Sequence, residues 1–512
     1  MFSTVLSATL KGLCVEFIHV EADVSNGLPI FQMVGYLSSE VKEAGERVRT
    51  AMKNSGFPLP AKRILINLSP ADMRKRGTRF DLPIAIALLA AQDEIPKEVL
   101  EDILFIGELS LDGRIRHVSG VLPIVLEAKK VGCKLCVVPR EDEKEGALVE
   151  GISVIGVETL NELCQRLKKG NFETQAAPEN RWSNHSHMNH LDFRDVHGQQ
   201  FAKRAAEIAV AGKHNLLMIG PPGAGKSMLA KRIPSILPPL TREESMELTM
   251  LYSIISGLDE EEPLMQQRPF REVHQTVTKA ALLGGGMYPR PGEISLAHKG
   301  VLFLDEIAEF PRSILELLRQ PLEERKIRIL REKGEYCFPA DCMLVAAMNP
   351  CPCGNYPDLN RCTCTTPQIR AYLGRLSQPL LDRIDLCVEV EKVQYQDLQQ
   401  KTVGEDSAAI RARVCAARQR QTERYQGRKF SANAELGVQE AEQMCKLRQA
   451  ENRLMERAFE RLHMTARTYY KTLLVARTIA DLEGEENIEG EHLQEALAYR
   501  QIQKMQVGGD AI

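Results

Sequence analysis

Gly220-Pro221-Pro222-Gly223-Ala224-Gly225-Lys226-Ser227 is the stretch whose reading decides the fold. Eight positions that open on glycine and close on Gly-Lys-Ser form the P-loop pattern. The apolar run Asn215 to Ile219 ahead of it reads as a buried strand, and Met228 to Ile233 behind it starts a helix. Strand, glycine-rich turn and helix are together what a phosphate cradle needs. The glycines let backbone N–H groups close in on an anion, and the helix start adds partial positive charge. On this reading the loop takes a nucleoside triphosphate, ATP. Lys226 reaches the β- and γ-phosphates, and Ser227 holds Mg²⁺.

A second motif lies downstream. Gly300 leads into Val301-Leu302-Phe303-Leu304, four apolar residues of a fully buried strand, which ends in Asp305 and Glu306. That is the Walker B pattern. Asp305 is expected to hold Mg²⁺ through water, and Glu306 to orient and deprotonate the attacking water. A third strand, Cys342 to Met348, ends at Asn349.

The rest of the composition sets bounds. At 512 residues the chain exceeds one core, and three or so domains are expected. Hydrophobic content of 44% and charged content of 26% are ordinary for a soluble globular protein. The longest clean apolar run, Pro83 to Ala91, is too short to span a bilayer. Glu16, Glu21 and Asp23 stand early, and no basic segment leads into an apolar one, so no secretory leader is read. A cytoplasmic location is expected, with the 13 cysteines reduced. A net charge of −3 gives no bulk attraction to nucleic acid, so such binding needs local basic patches. Two are visible: the loop Arg74, Lys75, Arg76 and Arg79, and a helix carrying Arg411, Arg413, Arg418, Arg420 and Arg424.

Residues 1–168 read as an α+β domain. Strands are expected over Gly12 to Val24, Arg63 to Leu68 and Leu135 to Val138. Helices are expected over Val41 to Ser55, Asp81 to Ala91 and Val121 to Val131, and a hairpin over Leu104 to Ile115, turning at Asp112-Gly113. This order resembles the proteolytic domain of Lon proteases, of the ribosomal S5 domain 2-like fold. Where Lon carries its nucleophile, this chain has Gly77-Thr78-Arg79-Phe80-Asp81, with Arg79 in the serine's place. Where Lon carries its lysine, Ser119-Gly120-Val121 is followed by Leu122. A Ser–Lys dyad needs a hydroxyl beside a base, so no peptidase activity is expected. Cys133 and Cys136 flank a buried strand and read as core thiols.

The polar run 169–190 has linker composition. Residues 191–398 resemble AAA+ ATPases in several places. Val196-His197-Gly198-Gln199 is similar to their turn near the adenine. Asn349 stands at their sensor 1, between the carboxylates and the γ-phosphate. Leu380-Leu381-Asp382-Arg383-Ile384-Asp385 resembles their arginine-finger segment, which implies that Arg383, or else Arg375, reaches a neighbouring subunit's nucleotide in a ring, usually of six. Residues 399–506 read as a helical lid: Ala408 to Tyr425, Ala434 to Phe459, Ala466 to Leu482 and Gly490 to Arg500. In it Arg467, or else Arg477, resembles sensor 2, which implies contact with the γ-phosphate in cis.

Arg268 to His298 and the alternating stretch Arg325 to Tyr336, a hairpin turning at Lys333-Gly334, mark the helix-2-insert and pre-sensor-1-hairpin branch of AAA+ proteins. Pro291 to His298 and Ala346 to Gly354 are most similar to the ComM/YifB-type magnesium-chelatase-like family. The chain departs from it at Arg271 to Thr276, where the family tends to have Pro-His-His. The expected fold is thus α/β overall: a Lon-like domain, an αβα P-loop core and a helical lid. The resemblance implies an ATP-driven homo-hexameric motor on DNA, a branch-migration helicase in recombination and natural transformation. His298 and Lys299 on the insert, and Arg331 and Lys333 on the hairpin, are the candidate DNA contacts. The competing readings are a motor subunit of a magnesium chelatase and an ATP-switch scaffold.

Cys351, Cys353, Cys362 and Cys364 stand within fourteen residues, in the loop 351–364. Four thiolates so close in sequence can close a tetrahedral shell around a structural Zn²⁺; free thiols are the alternative.

Overall fold

The computed structural model describes residues 1–170, 172, 191–331, 334–392, 404–428 and 430–500. They divide into two compact units, Met1–Ser183 with Thr241–Met265, and Asn184–Leu240 with Gln266–Ile512. The linker 169–190 lies outside the described residues apart from 169, 170 and 172.

The first unit is built on a seven-stranded sheet. Its strands are β1 (Phe2–Lys11), β2 (Cys14–Ser25), β3 (Ile30–Val34), β4 (Arg63–Ser69), β5 (Ile103–Phe105), β8 (Leu135–Pro139) and β9 (Ser153–Val157), ordered β3-β4-β2-β1-β5-β8-β9. β1 and β2 form a long antiparallel pair from Phe2↔Asp23 to Lys11↔Cys14, whereas β5, β8 and β9 run parallel. The helix Asp81–Ala91 is buried along its whole length, as the apolar run from Leu82 onward requires. Cys133 and Cys136 are buried in the core beside the helix Val121–Lys130.

The hairpin expected over Leu104 to Ile115 is shorter than read. Ile103–Phe105 is fully buried and joins the main sheet. Only β6 (Glu108–Leu109) and β7 (Ile115–Arg116) pair across the Asp112-Gly113 turn. Thr241–Met265 completes this unit, although in sequence it falls between Leu240 and Gln266 of the second one. Its helix Arg242–Ser253 starts with a reciprocal Thr241–Glu244 cap. The Ser253 hydroxyl donates to Glu145 at 2.6 Å, and the Ser253 carbonyl accepts from the Gly120 N–H.

The second unit carries a parallel five-stranded sheet in the order β11-β14-β17-β10-β18. Its strands are β10 (Leu216–Ile219), β11 (Phe270–Val273), β14 (Val301–Leu304), β17 (Met343–Met348) and β18 (Leu386–Glu389). Two hairpins stand apart from it: β12 (Gly284–Gly285) with β13 (Arg290–Pro291), and β15 (Lys326–Arg331) with β16 (Gly334–Pro339). The C-terminal part is helical. The single helix expected over Ala434 to Phe459 is instead a turn at Asn433–Glu435 and two helices, Val438–Met444 and Gln449–Arg461. Gly437 starts the second piece from an extended backbone, and Cys445 ends it in a non-helical one.

Candidate functional site

Three neighbouring parallel strands bring the motifs to one edge. β17 lies between β10 and β14, so their C-terminal ends meet. Gly220 follows β10, Asp305 follows β14 and Asn349 follows β17. The Lys226 ammonium donates to the Gly220 carbonyl at 2.6 Å, the Pro221 carbonyl at 3.0 Å and Asn349 Oδ1 at 3.1 Å. Burial pushes the Lys226 amine down, opposed by the Asp305 and Glu306 carboxylates. The Ser227 hydroxyl donates to Asp305 Oδ2 at 2.6 Å. A hydroxyl and a carboxylate converging so closely suit Mg²⁺, a hard cation that prefers oxygen. Glu306 is exposed beside them. Gly223 and Gly225 have φ of 76° and 93°, and a Cβ at either would meet nothing within 4 Å, so the loop faces open space. Gln199 donates to the Ala224 carbonyl at 3.3 Å, which brings the Val196–Gln199 turn to the P-loop.

Arg383 sits at the other edge of the sheet. The Asn215 side chain, just before β10, donates to its carbonyl at 2.9 Å. The Arg383 guanidinium donates to the carbonyls of Arg319 and Pro379 and to Glu323. Arg467 donates to the other oxygen of Glu323 at 2.6 Å. A four-residue strand is about 13 Å long; the Arg383 backbone lies at the start of β10 and the P-loop follows its end. Arg467, expected to meet the γ-phosphate in cis, shares Glu323 with Arg383 and stands at the same edge. The alternative, Arg477, is buried in the helical part against Asp481 and the carbonyls of Glu485 and Glu486. Arg375 lies at the edge that carries the P-loop, donating to the Ala308 carbonyl at 2.9 Å and to Glu309 at 2.7 Å.

Two of the four candidate DNA contacts are corrected. His298 is buried, and its Nδ1 accepts the Asp341 N–H at 3.0 Å. The Lys299 ammonium reaches inward to Asp341 at 3.1 Å, in an ionic cluster with Lys213, Arg325 and Glu435. Both occupy the turn that enters β14 and hold it to the protein. Arg331 is exposed at the end of β15, next to Leu330, which is 73% exposed. Lys333 lies outside the described residues.

The four cysteines of the 351–364 loop converge. Cys351 Sγ is 3.4 Å from that of Cys353 and 3.8 Å from that of Cys362, and the latter two are 3.6 Å apart. All four sulfurs lie within 4.8 Å of one another. Zn–S bonds of about 2.3 Å in a tetrahedron place sulfurs about 3.8 Å apart, so this donor set fits Zn²⁺.

In the first unit, Arg79 precedes the helix Asp81–Ala91, and burial pushes its guanidinium down to about 10. Leu122 is buried in the helix Val121–Lys130. Burial also lifts Asp81 to about 6, even with Arg47 at 2.8 Å.

Comparison with known proteins gives the family. The model described as magnesium chelatase, subunit ChlI, matches residues 192–398, that of subunit ChlI of Mg-chelatase matches 20–142, and that of its C-terminal part matches 404–500. The competence protein ComM of Haemophilus influenzae is 43% identical over 505 residues, 98% of each chain. The chain belongs to the ComM/YifB-type magnesium-chelatase-like proteins. The uncharacterized protein YifB of Escherichia coli is similar to the same degree, 43% over 505 residues and 98% of each chain. A Lon protease of Trichlorobacter lovleyi is 21% identical over 162 residues, 29% of this chain and 20% of that protein. Among the described residues of this ComM/YifB-type chain, no helix is long and apolar enough to cross a membrane.

Two residues of the site escape a reading of the sequence. Glu323 holds both edge arginines, but nothing in its helix, Arg319–Glu324, marks it out. Tyr372 is buried with its hydroxyl bonded to the Asn349 backbone, and burial raises it to about 12. Only its place eight residues after Cys364 could have hinted at it.

Proposed function

We propose that this chain is an ATP-hydrolysing motor that works on DNA as a homo-hexameric ring, a branch-migration helicase in recombination during natural transformation. The observation that carries this reading is the division of the motifs between two edges. Lys226, Ser227, Asp305, Glu306 and Asn349 share one edge of the sheet; Arg383 and Arg467 share the other. A γ-phosphate at the first edge is out of reach of the arginines of its own chain. On this reading a neighbour supplies Arg383, which favours it over Arg375 as the trans arginine.

Lys226 binds the phosphates, Glu306 orients the attacking water and takes its proton, and Asn349 stands between the carboxylates and the γ-phosphate. Mg²⁺, when held at Ser227 and Asp305, neutralises developing charge on the phosphates. The 351–364 loop is read as holding a structural Zn²⁺. Residues 1–168 are read as a Lon-like scaffold without peptidase activity, joined by the linker 169–190 to the ATPase core 191–398 and the lid 399–506. The name of the Haemophilus influenzae relative, a competence protein, supports the DNA setting.

A magnesium-chelatase motor subunit is the second reading, favoured by the descriptions of the matching family models. One assay separates them: ATPase activity measured with forked or four-way DNA, and separately with chelatase partner chains and a porphyrin. Stimulation by DNA is expected. Stimulation by the chelatase partners alone would reverse the order of the two readings.

A further inference from the structure

The four-cysteine loop is tied to the nucleotide site at three points. Asn349, whose side chain meets Lys226 at 3.1 Å, stands two residues before Cys351. Gly354, at the turn between Cys353 and Cys362, has φ of +79° and lies against the P-loop itself. A Cβ built at 354 would sit 2.4 Å from Cδ of Pro222, so only glycine allows this approach. Beyond Cys364 the chain enters the helix Thr366–Leu373, capped by Thr365. Tyr372 on that helix returns to the Asn349 backbone.

Inside the loop, backbone donors already face the sulfurs. The Tyr356 N–H points at Cys351 Sγ and the Cys353 N–H at Cys364 Sγ, each at 3.4 Å. Such donors stabilise thiolates rather than thiols. Cys351 is buried, while Cys353, Cys362 and Cys364 are partly exposed, so a metal here can exchange with solvent.

We propose that a thiophilic divalent cation of the zinc class, held by Cys351, Cys353, Cys362 and Cys364, is a working part of the nucleotide site, and that its occupancy sets the affinity for ATP. The inference rests on reading the loop as a zinc site and the Gly220–Ser227 turn as an ATP site. The cation fixes the sequence neighbours of Asn349 and the surface on which Pro222 rests. Without it, a fourteen-residue loop regains conformational freedom at both points. The phosphate cradle then loses its support on one side, and the Asn349 amide loses its fixed distance from Lys226.

The test uses the full-length chain and three preparations: zinc-loaded, stripped with a chelator under reducing conditions, and stripped then reloaded. Zinc content is read by a colorimetric release assay, ATP affinity by titration with a fluorescent ATP analogue, and folding by circular dichroism. About one zinc per chain is expected in the loaded form. Stripping should weaken ATP binding by about tenfold or more with secondary structure retained, and reloading should restore it. Gly354→Ala provides an independent arm if stripping unfolds the chain. It should keep its zinc and still bind ATP more weakly, because the new methyl group meets Pro222. Equal ATP affinity in loaded and stripped protein, or in Gly354→Ala and wild type, overturns the coupling and leaves both sites standing. Absence of zinc from every preparation overturns it through the metal reading. Loaded protein that binds no ATP overturns it through the nucleotide reading.

Discussion

Arg383 and Glu323 form an ion pair where the strands of the five-stranded sheet begin, not where they end. The proposed triphosphate site, the Gly220–Ser227 turn with Asp305 and Asn349, lies at the far ends of the same strands. On the proposed ring reading, Arg383 serves a different protomer's nucleotide, with Arg467 beside it on the same carboxylate. Arg383→Ala should lower ATP turnover by about 10³-fold or more while sparing ATP binding. Mixing Arg383→Ala with Glu306→Gln tests the geometry directly. A protomer with an intact Glu306 can then face one with an intact Arg383, and about a quarter of the interfaces in an equal mixture should regain activity. Full turnover by a lone monomer, with no rescue in the mixture, would remove the trans assignment.

The two motifs on the nucleotide edge should separate binding from chemistry. Lys226→Ala removes the only ammonium that bridges Gly220, Pro221 and Asn349 among the described contacts of the site, and ATP affinity should fall by roughly 100-fold. Glu306→Gln keeps the cradle and loses the proton acceptor. Binding should persist, and turnover should drop by about 10²- to 10⁴-fold. Both are read by equilibrium titration of a nucleotide analogue and by phosphate release. Normal turnover in Glu306→Gln would show that another group takes the proton.

Glu435 links the helical part to the turns that enter the sheet. Burial opposes its charge, but Lys213 and Arg325 more than offset that and hold the carboxyl down at about 2, from an ordinary 4.5. Asp341, between the same cations and Lys299, is held down as well. A folded value below the unfolded one means stability that is present above pH 4.5 and lost as pH falls toward about 2. Glu435→Gln should cost about 2–4 kcal/mol at neutral pH, because it leaves two cations short of a partner. The gap between variant and wild type in thermal melts should narrow as pH drops below 4.5. A gap that stays constant with pH would mean that Glu435 acts by packing alone.

The parts of the site that were legible obey local rules. An apolar run followed by Gly-x-Gly-Lys-Ser, or by Asp-Glu, specifies a strand end and the turn after it, so the sequence already pointed at residues that the parallel sheet brings together. The Lys326–Pro339 hairpin showed through its alternation. What stayed hidden depends on partners distant in sequence. His298 and Lys299 look like surface residues until Asp341 arrives from before β17 to bond them both. The side of the sheet that Arg467 faces is set by where its helix packs, which no spacing reveals. Glu323 has the helical context of any solvated glutamate, and only the two arginines that converge on it give it a role. The break near Gly437 was legible in principle, but the helical spacing on either side masked it.

Arg331 and Lys299, both offered by the sequence as DNA contacts, should now behave differently. Arg331 is exposed at the end of a hairpin and can meet a phosphate. Arg331→Ala should weaken DNA binding several-fold, lower the salt dependence by about one counterion and leave melting temperature and DNA-free ATPase activity unchanged. Lys299 is turned inward to the buried Asp341 carboxylate. Lys299→Ala should cost about 1–3 kcal/mol of stability, and any loss of DNA binding should follow the loss of folded protein. Filter binding across a salt series, alongside thermal melts of both variants, checks the pair. If Lys299→Ala kept its melting temperature and lost a counterion's worth of salt dependence, the lysine would belong to the DNA surface after all, and Asp341 would have to find its compensation in Lys213 and Arg325.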